Sequence, residues 1–240
     1  MRKAFIGIVL SCLFAVPAWA AGGGPSAADV GDVASFGRAA KWMGVGQTTN
    51  VFLRSDCTIS PPAAGERCIT LNPAPASTSF DERDLGVIRL PARATNSIVC
   101  HFFSPFWFFQ LNNTTGVAQP DGRARFSAYM TVENAVLNDP SLIDPSTGLP
   151  YGGRFEQGIP GSLLVSRSMA AGEREQRNEQ YSRVCIAGII SRDGLIGMGL
   201  SDAQATDFFK NPITLRLNLR GNVRLVEDAA LFYGLRLLGD

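Results

Sequence analysis

Strict alternation of apolar and polar residues near the C-terminus is the clearest pattern in the chain. In "ITLRLNLRGNVRLV" the apolar set is Ile213, Leu215, Leu217 and Leu219, and the polar set is Thr214, Arg216, Asn218 and Arg220. Successive side chains of a strand point to opposite faces of a sheet, so this segment is predicted to be a strand with one buried face. Gly221 and Asn222 suit a two-residue hairpin turn of type II′, and a last strand is predicted from Ala230 to Leu238.

The same alternation upstream sets the fold class. "RARFSAYMTV" (123–132) alternates cleanly, and roughly ten short segments of this kind are separated by turn residues, which is typical of a sandwich or barrel. We therefore predict one all-β domain, an antiparallel β-sandwich or jelly-roll-like fold. One short helix is expected from Asp202 to Phe209, because Ser201 and Gln204 form a capping-box pattern. A long Pro/Gly-rich loop is expected over 138–161, either functional or mobile.

The run "SIVCHFFSPFWFFQLNN" (97–113) concentrates aromatic residues and the chain's single histidine. Arranged as a strand, it is apolar on both faces, which predicts a strand covered on both sides. Pro105 cannot donate to a ladder, so a bulge or corner is expected there. The alternative is a sugar-binding surface in which Trp107 stacks on a pyranose, flanked by the amides of Gln110, Asn112 and Asn113. The excess of Phe over Trp favours packing.

The N-terminus predicts export. A basic start, an apolar stretch and small residues before Ala20 form a secretory signal peptide over 1–20. A flexible Gly-rich leader is expected over 21–31, and a single β-rich domain over 32–240. The mature chain is then expected to be periplasmic, extracellular or at the cell surface, without a transmembrane span.

Four cysteines remain after removal of the signal peptide. An even number in an exported chain predicts disulfides, and we favour the pairs Cys57–Cys68 and Cys100–Cys185. The first pair brackets a turn-like segment, and the second lies in two strand-like runs. No C-x-x-C spacing supports a zinc site, so no metal is expected.

Charge and motifs narrow the function classes. Without Arg2 and Lys3, the 22 basic residues fall to 20 against 21 acidic ones, so no nucleic-acid partner is expected. The arginines are scattered along the sequence, which favours compositional bias over a site. The lone His101 excludes a histidine-rich metal centre and is expected to be structural. Carboxylates remain available for a hydrolase. These candidates are Asp81, Glu82, Asp84, Glu156, Glu173, Glu175 and Glu179.

These observations favour a non-enzymatic structural or interaction protein of the cell envelope or of an extracellular appendage, without a cofactor. Its expected partners are other envelope or surface proteins, or further copies paired through edge strands. The last strand is the best candidate for such assembly. Its apolar side chains are Leu231, Tyr233, Leu235 and Leu237. The alternatives are a secreted carbohydrate- or ligand-binding module and, less favoured, a carboxylate-dependent hydrolase.

Overall fold

Two sheets of mainly antiparallel strands face each other across the hydrophobic core. They are seen in a computed structural model that describes residues 41–184 and 188–240. Strands account for 55% of the described residues and helices for 10%, so the predicted all-β sandwich-like fold is confirmed. Within these ranges, no helix is both long enough and apolar enough to cross a membrane.

The larger sheet, sheet A, is built around two long central strands. Its members are β1 (Lys41–Gln47), β2 (Val51–Arg54), β3 (Arg67–Thr70), β5 (Ile98–Asn112), β9 (Arg174–Gln180), β10 (Arg183–Val184), β11 (Ile190–Ser191) and β13 (Val226–Gly239). β13 pairs with β5 along one edge and with β1 and β2 along the other. β3 lies outside β2, and the short strands β9, β10 and β11 follow the far edge of β5.

The smaller sheet, sheet B, packs its inner face against sheet A. It contains β4 (Ser77–Leu90), β6 (Gln119–Glu133), β7 (Arg154–Gly158), β8 (Leu163–Met169) and β12 (Ile213–Arg224). The order is β4–β12–β6, and both β7 and β8 pair with the outer edge of β6. A 3₁₀ helix (Ala135–Asn138) and the helices α1 (Arg192–Gly197) and α2 (Asp202–Lys210) complete the described elements.

The core is formed by the inward-facing half of each alternating pattern. Trp107 of sheet A lies 5.9 Å from Phe126 of sheet B, measured between ring centroids, and both are fully buried. The Tyr233 hydroxyl reaches across from sheet A and donates a hydrogen bond of 2.8 Å to the Asn218 carbonyl oxygen. Burying an aromatic side chain contributes about 2–3 kcal/mol, so these inter-sheet contacts fix how the sheets stack.

A bulge in β4 shapes the outer face of sheet B. Glu82 pairs with Leu219 and Gly86 pairs with Leu217, so three residues of β4 oppose the single Asn218. Asp84, in the middle of this bulge, has a φ of 56°, a conformation that costs a non-glycine residue free energy. The buried Asn218 amide holds it, accepting from the Asp84 N–H at 2.9 Å and donating to Thr131 Oγ1 at 3.0 Å.

Several local predictions can now be judged. The helix predicted from Asp202 is confirmed, with both hydrogen bonds of its capping box present. The hairpin turn at Gly221-Asn222 is wrong, because β12 continues through it and the chain turns at Leu225, φ 58°. Glycine is required at 221 for another reason, since a Cβ there would lie 2.4 Å from the Phe80 ring.

Two further predictions about strands are corrected. β5 runs through Pro105 in unbroken register with β13, so the expected corner is absent. On the other edge of β5, Pro105 falls between the segments that pair with β10 and with β9. The missing N–H of Pro105 therefore removes no strand-pairing hydrogen bond on that edge. The segment 138–161 is not one loop, because β7 pairs with β6 inside it.

The Cys57–Cys68 disulfide is present and closes the segment between β2 and β3. Cys100 is also disulfide-bonded. Cys185, its predicted partner, lies outside the described residues, and so do the predicted signal peptide and leader (1–31).

Candidate functional site

The outward side of sheet A carries a cluster of phenylalanines. In β5 the odd-numbered residues point into the core, so Phe102, Phe106 and Phe108 lie on the opposite side. Strand pairing places Phe232 of β13 and Phe52 of β2 on the same side. All five side chains are partly exposed. We call these five phenylalanines the aromatic face. The prediction that the strand is covered on both sides is therefore wrong for this side.

The rings of the aromatic face are engaged within the protein. Phe106 and Phe232 stack with centroids 5.0 Å apart and planes inclined by 25°. The guanidinium of Arg54 lies 4.5 Å from the centroid of Phe52, and that of Arg236 lies 5.7 Å from Phe102. Two rings that stack side by side from neighbouring strands stand upright on the sheet. They consequently present ring edges to solvent.

A groove of about 470 Å³ crosses this surface beside the stacked rings. Gly234 forms part of its floor because it places no side chain there, and Phe106 and Phe232 form one wall. Val45, which is 60% exposed, and Arg236 stand at the groove's border. None of the residues that line the groove carries a carboxylate, and no described carboxylate pairs with Arg236. The groove therefore combines apolar walls with uncharged polar side chains and has a positive rim.

The residues predicted for ligand binding are not brought together at this surface. Trp107 is fully buried and its indole N–H donates to the Tyr181 hydroxyl, so Trp107 is not available for stacking on a sugar. Asn113 is also fully buried and holds the carbonyl oxygens of Val117 and Ala170. Gln110 and Asn112 do face outward, but both donate to the Glu227 carboxylate.

Glu227 links this amide pair to the edge of sheet A. Its carboxylate also forms an ion pair with Arg174 of β9. The hydrogen bond from Arg174 holds the pKa of Glu227 below its usual range, with further support from Asn112 and Gln110. Gln110 and Asn112 thus tie β5 to its neighbours.

The predicted assembly strand lies at the centre of sheet A. Leu231, Tyr233, Leu235 and Leu237 are all fully buried, and β13 is paired on both edges within the chain. Donating this strand to a neighbour would remove the centre of sheet A. Edge pairing can use only strands with a free side, and β13 has none.

Candidate catalytic groups are found mostly in structural contacts. Arg83 donates to Asp81 at 3.1 Å and to Glu156 at 2.9 Å, so two predicted carboxylates share one guanidinium. Glu173 and Glu175 both pair with Arg167. His101 lies on the core side of β5, 1% exposed, and burial lowers its pKa to about 4. Among the described residues, no group of three or more His, Cys, Asp or Glu side chains could hold a metal ion.

Comparison with known proteins adds little to this picture. No family model matches the chain, and no curated protein matches it. Among solved structures, this chain is similar to a chain from the structure described as "Crystal structure of the T13 IBDV viral particle reveals a missing link in icosahedral viruses evolution". The two chains share 7% identity over 83% of this chain and 40% of that chain, with a TM-score of 0.20. This chain spans less than half the length of that one, and a likeness at this TM-score carries no argument about fold or function.

Proposed function

We propose that the protein is an exported, non-enzymatic interaction protein of the cell envelope that binds a partner protein on its aromatic face. The aromatic face, with its groove, is the observation that carries this proposal. Monomeric proteins rarely expose contiguous apolar patches, and such patches mark interaction sites. Aromatic residues and arginine are the residues enriched at protein interfaces, and both occur here. Export is supported by the N-terminal pattern and by the Cys57–Cys68 disulfide.

Ring geometry favours a protein over a sugar as the occupant. A pyranose stacks on the open face of an aromatic ring. Phe106 and Phe232 stack on each other, and arginines cover Phe52 and Phe102, so four of the five rings each have one face already occupied. Ring edges and arginine stems instead suit the apolar side chains of a protein partner.

The groove also suggests what the partner presents. The missing side chain at Gly234 leaves room for one apolar side chain of the partner between Val45 and the stacked rings. Arg236 at the rim has no counter-charge among the described residues, so a carboxylate next to that apolar side chain would complement it. The predicted partner segment is thus apolar and acidic.

A catalytic role has less support. Asp81 and Glu156 are held by Arg83, and Glu173 and Glu175 by Arg167. Carboxylates engaged in such ion pairs are poorly placed to transfer a proton to a substrate. We therefore include no reaction in the proposed function.

Site-specific crosslinking in the native envelope tests the proposal. A photoreactive residue is placed at Val45, beside the groove, and in a control protein at Leu164, which is 63% exposed on sheet B. The expected result is a protein adduct that forms from position 45 and not from position 164. The adduct partner is then purified, and its affinity is measured for the wild type and for Gly234→Val.

Gly234→Val is a suitable disruption because it fills the groove without disturbing the fold. A Cβ at position 234 would meet its nearest atom, Gln47 Cγ, at 3.6 Å, an ordinary contact. We expect at least about tenfold weaker binding at unchanged thermal stability. Equal crosslinking from both positions would refute the proposal, and so would undiminished binding by the variant. An adduct with a second copy of this chain would show that the groove mediates self-association and does not bind a different protein.

A further inference from the structure

The outward side of sheet B gathers arginines that are scattered along the sequence. These arginines are Arg83, Arg89, Arg123, Arg125, Arg154, Arg216, Arg220 and Arg224, and the carboxylates of the same strands on this side are Asp81, Asp84, Asp121, Glu133 and Glu156. The chain as a whole is close to neutral. This side therefore carries an excess of positive charge, and we call it the basic face.

The central arginines of the basic face are held in fixed positions. Arg216 donates to Glu133 at 2.6 Å and to Asp84 at 3.2 Å. The guanidinium of Arg220 lies flat over the Tyr129 ring, 4.0 Å from its centroid. These contacts neutralise the carboxylates of this region and keep the guanidinium groups close to the sheet.

Three exposed arginines of the basic face, Arg89, Arg125 and Arg154, have no counter-charge among the described residues. In the part of the chain that the structure describes, no carboxylate forms an ion pair with Arg125 or Arg154. Arg154 pairs in register with Glu133, eight positions along β6 from Arg125. At about 3.4 Å per residue, the two sites are about 27 Å apart. No single small anion can reach both.

Arg125 and Arg154 each border a hollow that also offers hydroxyl and amide groups. The first hollow, about 310 Å³, is lined by Arg125, Arg220, Ser127 and Asn222, and by Asp81, whose carboxylate is paired with Arg83. The second, about 660 Å³, lies against the 144–151 segment and includes Arg154, Thr131 and Gln157. Its lining also contains the carboxylates of Asp144 and Glu156, of which Glu156 is paired with Arg83. The bulge at Asp84 interrupts the regular pairing of β4 with β12, next to Arg83.

We propose that the basic face binds an anionic polysaccharide, whose acidic groups contact Arg125 and Arg154 and whose hydroxyls enter the two hollows. Charge complementarity and the separation of Arg125 from Arg154 carry this assignment. A protein partner would require an apolar interface centre, and the centre here is an ion-pair network. A bilayer surface attracts long flexible cations, whereas the central guanidiniums of the basic face, those of Arg216 and Arg220, are held against the sheet. This proposal is independent of partner binding on the aromatic face.

Binding of polygalacturonate by the full mature chain tests the proposal, with neutral dextran as the control polymer. The double variant Arg125→Ala/Arg154→Ala is compared with Arg93→Asn/Arg183→Ala. The control pair removes the same charge from exposed arginines that lie outside sheet B, and Asn tolerates the left-handed backbone at position 93, φ 58°. Thermal unfolding confirms that both variants are folded.

We expect salt-sensitive binding of polygalacturonate, no binding of dextran, and at least about tenfold weaker affinity for the 125/154 variant only. Equal losses in both double variants would overturn the proposal, because they would indicate general attraction without a site. Absence of polygalacturonate binding at low salt would overturn it as well. Binding to vesicles of anionic lipid without binding to the polymer would also overturn the proposal and would indicate that the basic face contacts a membrane surface.

Discussion

Protonation of His101 should control the stability of the protein at mildly acidic pH. The side chain is 1% exposed, and burial lowers its pKa from 6.5 to about 4. The unfolded chain therefore binds a proton more readily than the folded chain between these two values. Stability is unaffected by His101 above about pH 7 and falls as the pH decreases through 6.5 towards 4.

The expected size of this effect follows from the two pKa values. Between pH 8 and pH 5 the free energy of unfolding should decrease by about 2 kcal/mol, and the full effect below pH 4 is about 3 kcal/mol. His101 is the chain's only histidine, and carboxylates titrate mainly below this window. The interval from pH 7 to pH 5 thus isolates its contribution.

Urea unfolding of the oxidised mature protein, followed by the fluorescence of the buried Trp107, measures this effect. His101→Leu serves as the comparison, because leucine does not titrate and is compatible with the buried side of β5. We expect the variant to show a nearly flat stability profile from pH 7 to pH 5, whatever its absolute stability. Parallel profiles for the wild type and the variant would refute the reasoning.

Three further predictions concern packing, a buried hydrogen bond and the disulfide. Gly86→Ala should reduce the free energy of unfolding, measured by urea titration, by about 1–3 kcal/mol, because the new Cβ would lie 2.4 Å from the Gln47 carbonyl oxygen. In the same titration, Gly234→Ala should change the free energy of unfolding by less than about 0.5 kcal/mol. Asn218→Ala should lower the free energy of unfolding by about 1–3 kcal/mol, because it removes the acceptor of the Asp84 N–H. Faster amide exchange at Asp84 would confirm this cause. Replacing Cys57 and Cys68 by serine should cost about 3 kcal/mol, the value for closing a loop with a separation of 11 residues, and an unchanged urea midpoint would contradict it.

Local patterns predicted the elements better than their boundaries. The alternation from Ile213 onward identifies β12 correctly, and the Ser201 capping box identifies the start of α2. The Gly221 turn was wrong because glycine has two uses that look alike in a sequence. It permits a turn, and it also makes room for a neighbouring ring, as it does for Phe80.

The aromatic run shows a second limit. Its alternation already separates Trp107 from Phe106 and Phe108, but it does not say which side faces the other sheet. That choice depends on distant strands, because Phe126 lies on one side of β5 and Arg236 over the other. The membership of Phe52 and Phe232 in the aromatic face likewise depends on strand pairing. The sequence signal for this face was the set of phenylalanines at 102, 106 and 108 on the side opposite Trp107, interrupted by Ser104.

The basic face illustrates the same principle for charge. Arginines at positions 83, 125, 154 and 220 look scattered along the chain, which favoured compositional bias as their explanation. Pairing β6 with β12 in the register Ser127–Arg220 brings Arg125 and Arg220 to one hollow, and pairing β7 with β6 adds Arg154 to the same side. Because neighbouring strands keep their outward positions aligned, spacing within each strand decides the face, and pairing decides the neighbours. A near-neutral chain can therefore carry an aromatic side on one sheet and a cationic side on the other, and each side can be altered without changing the core between them.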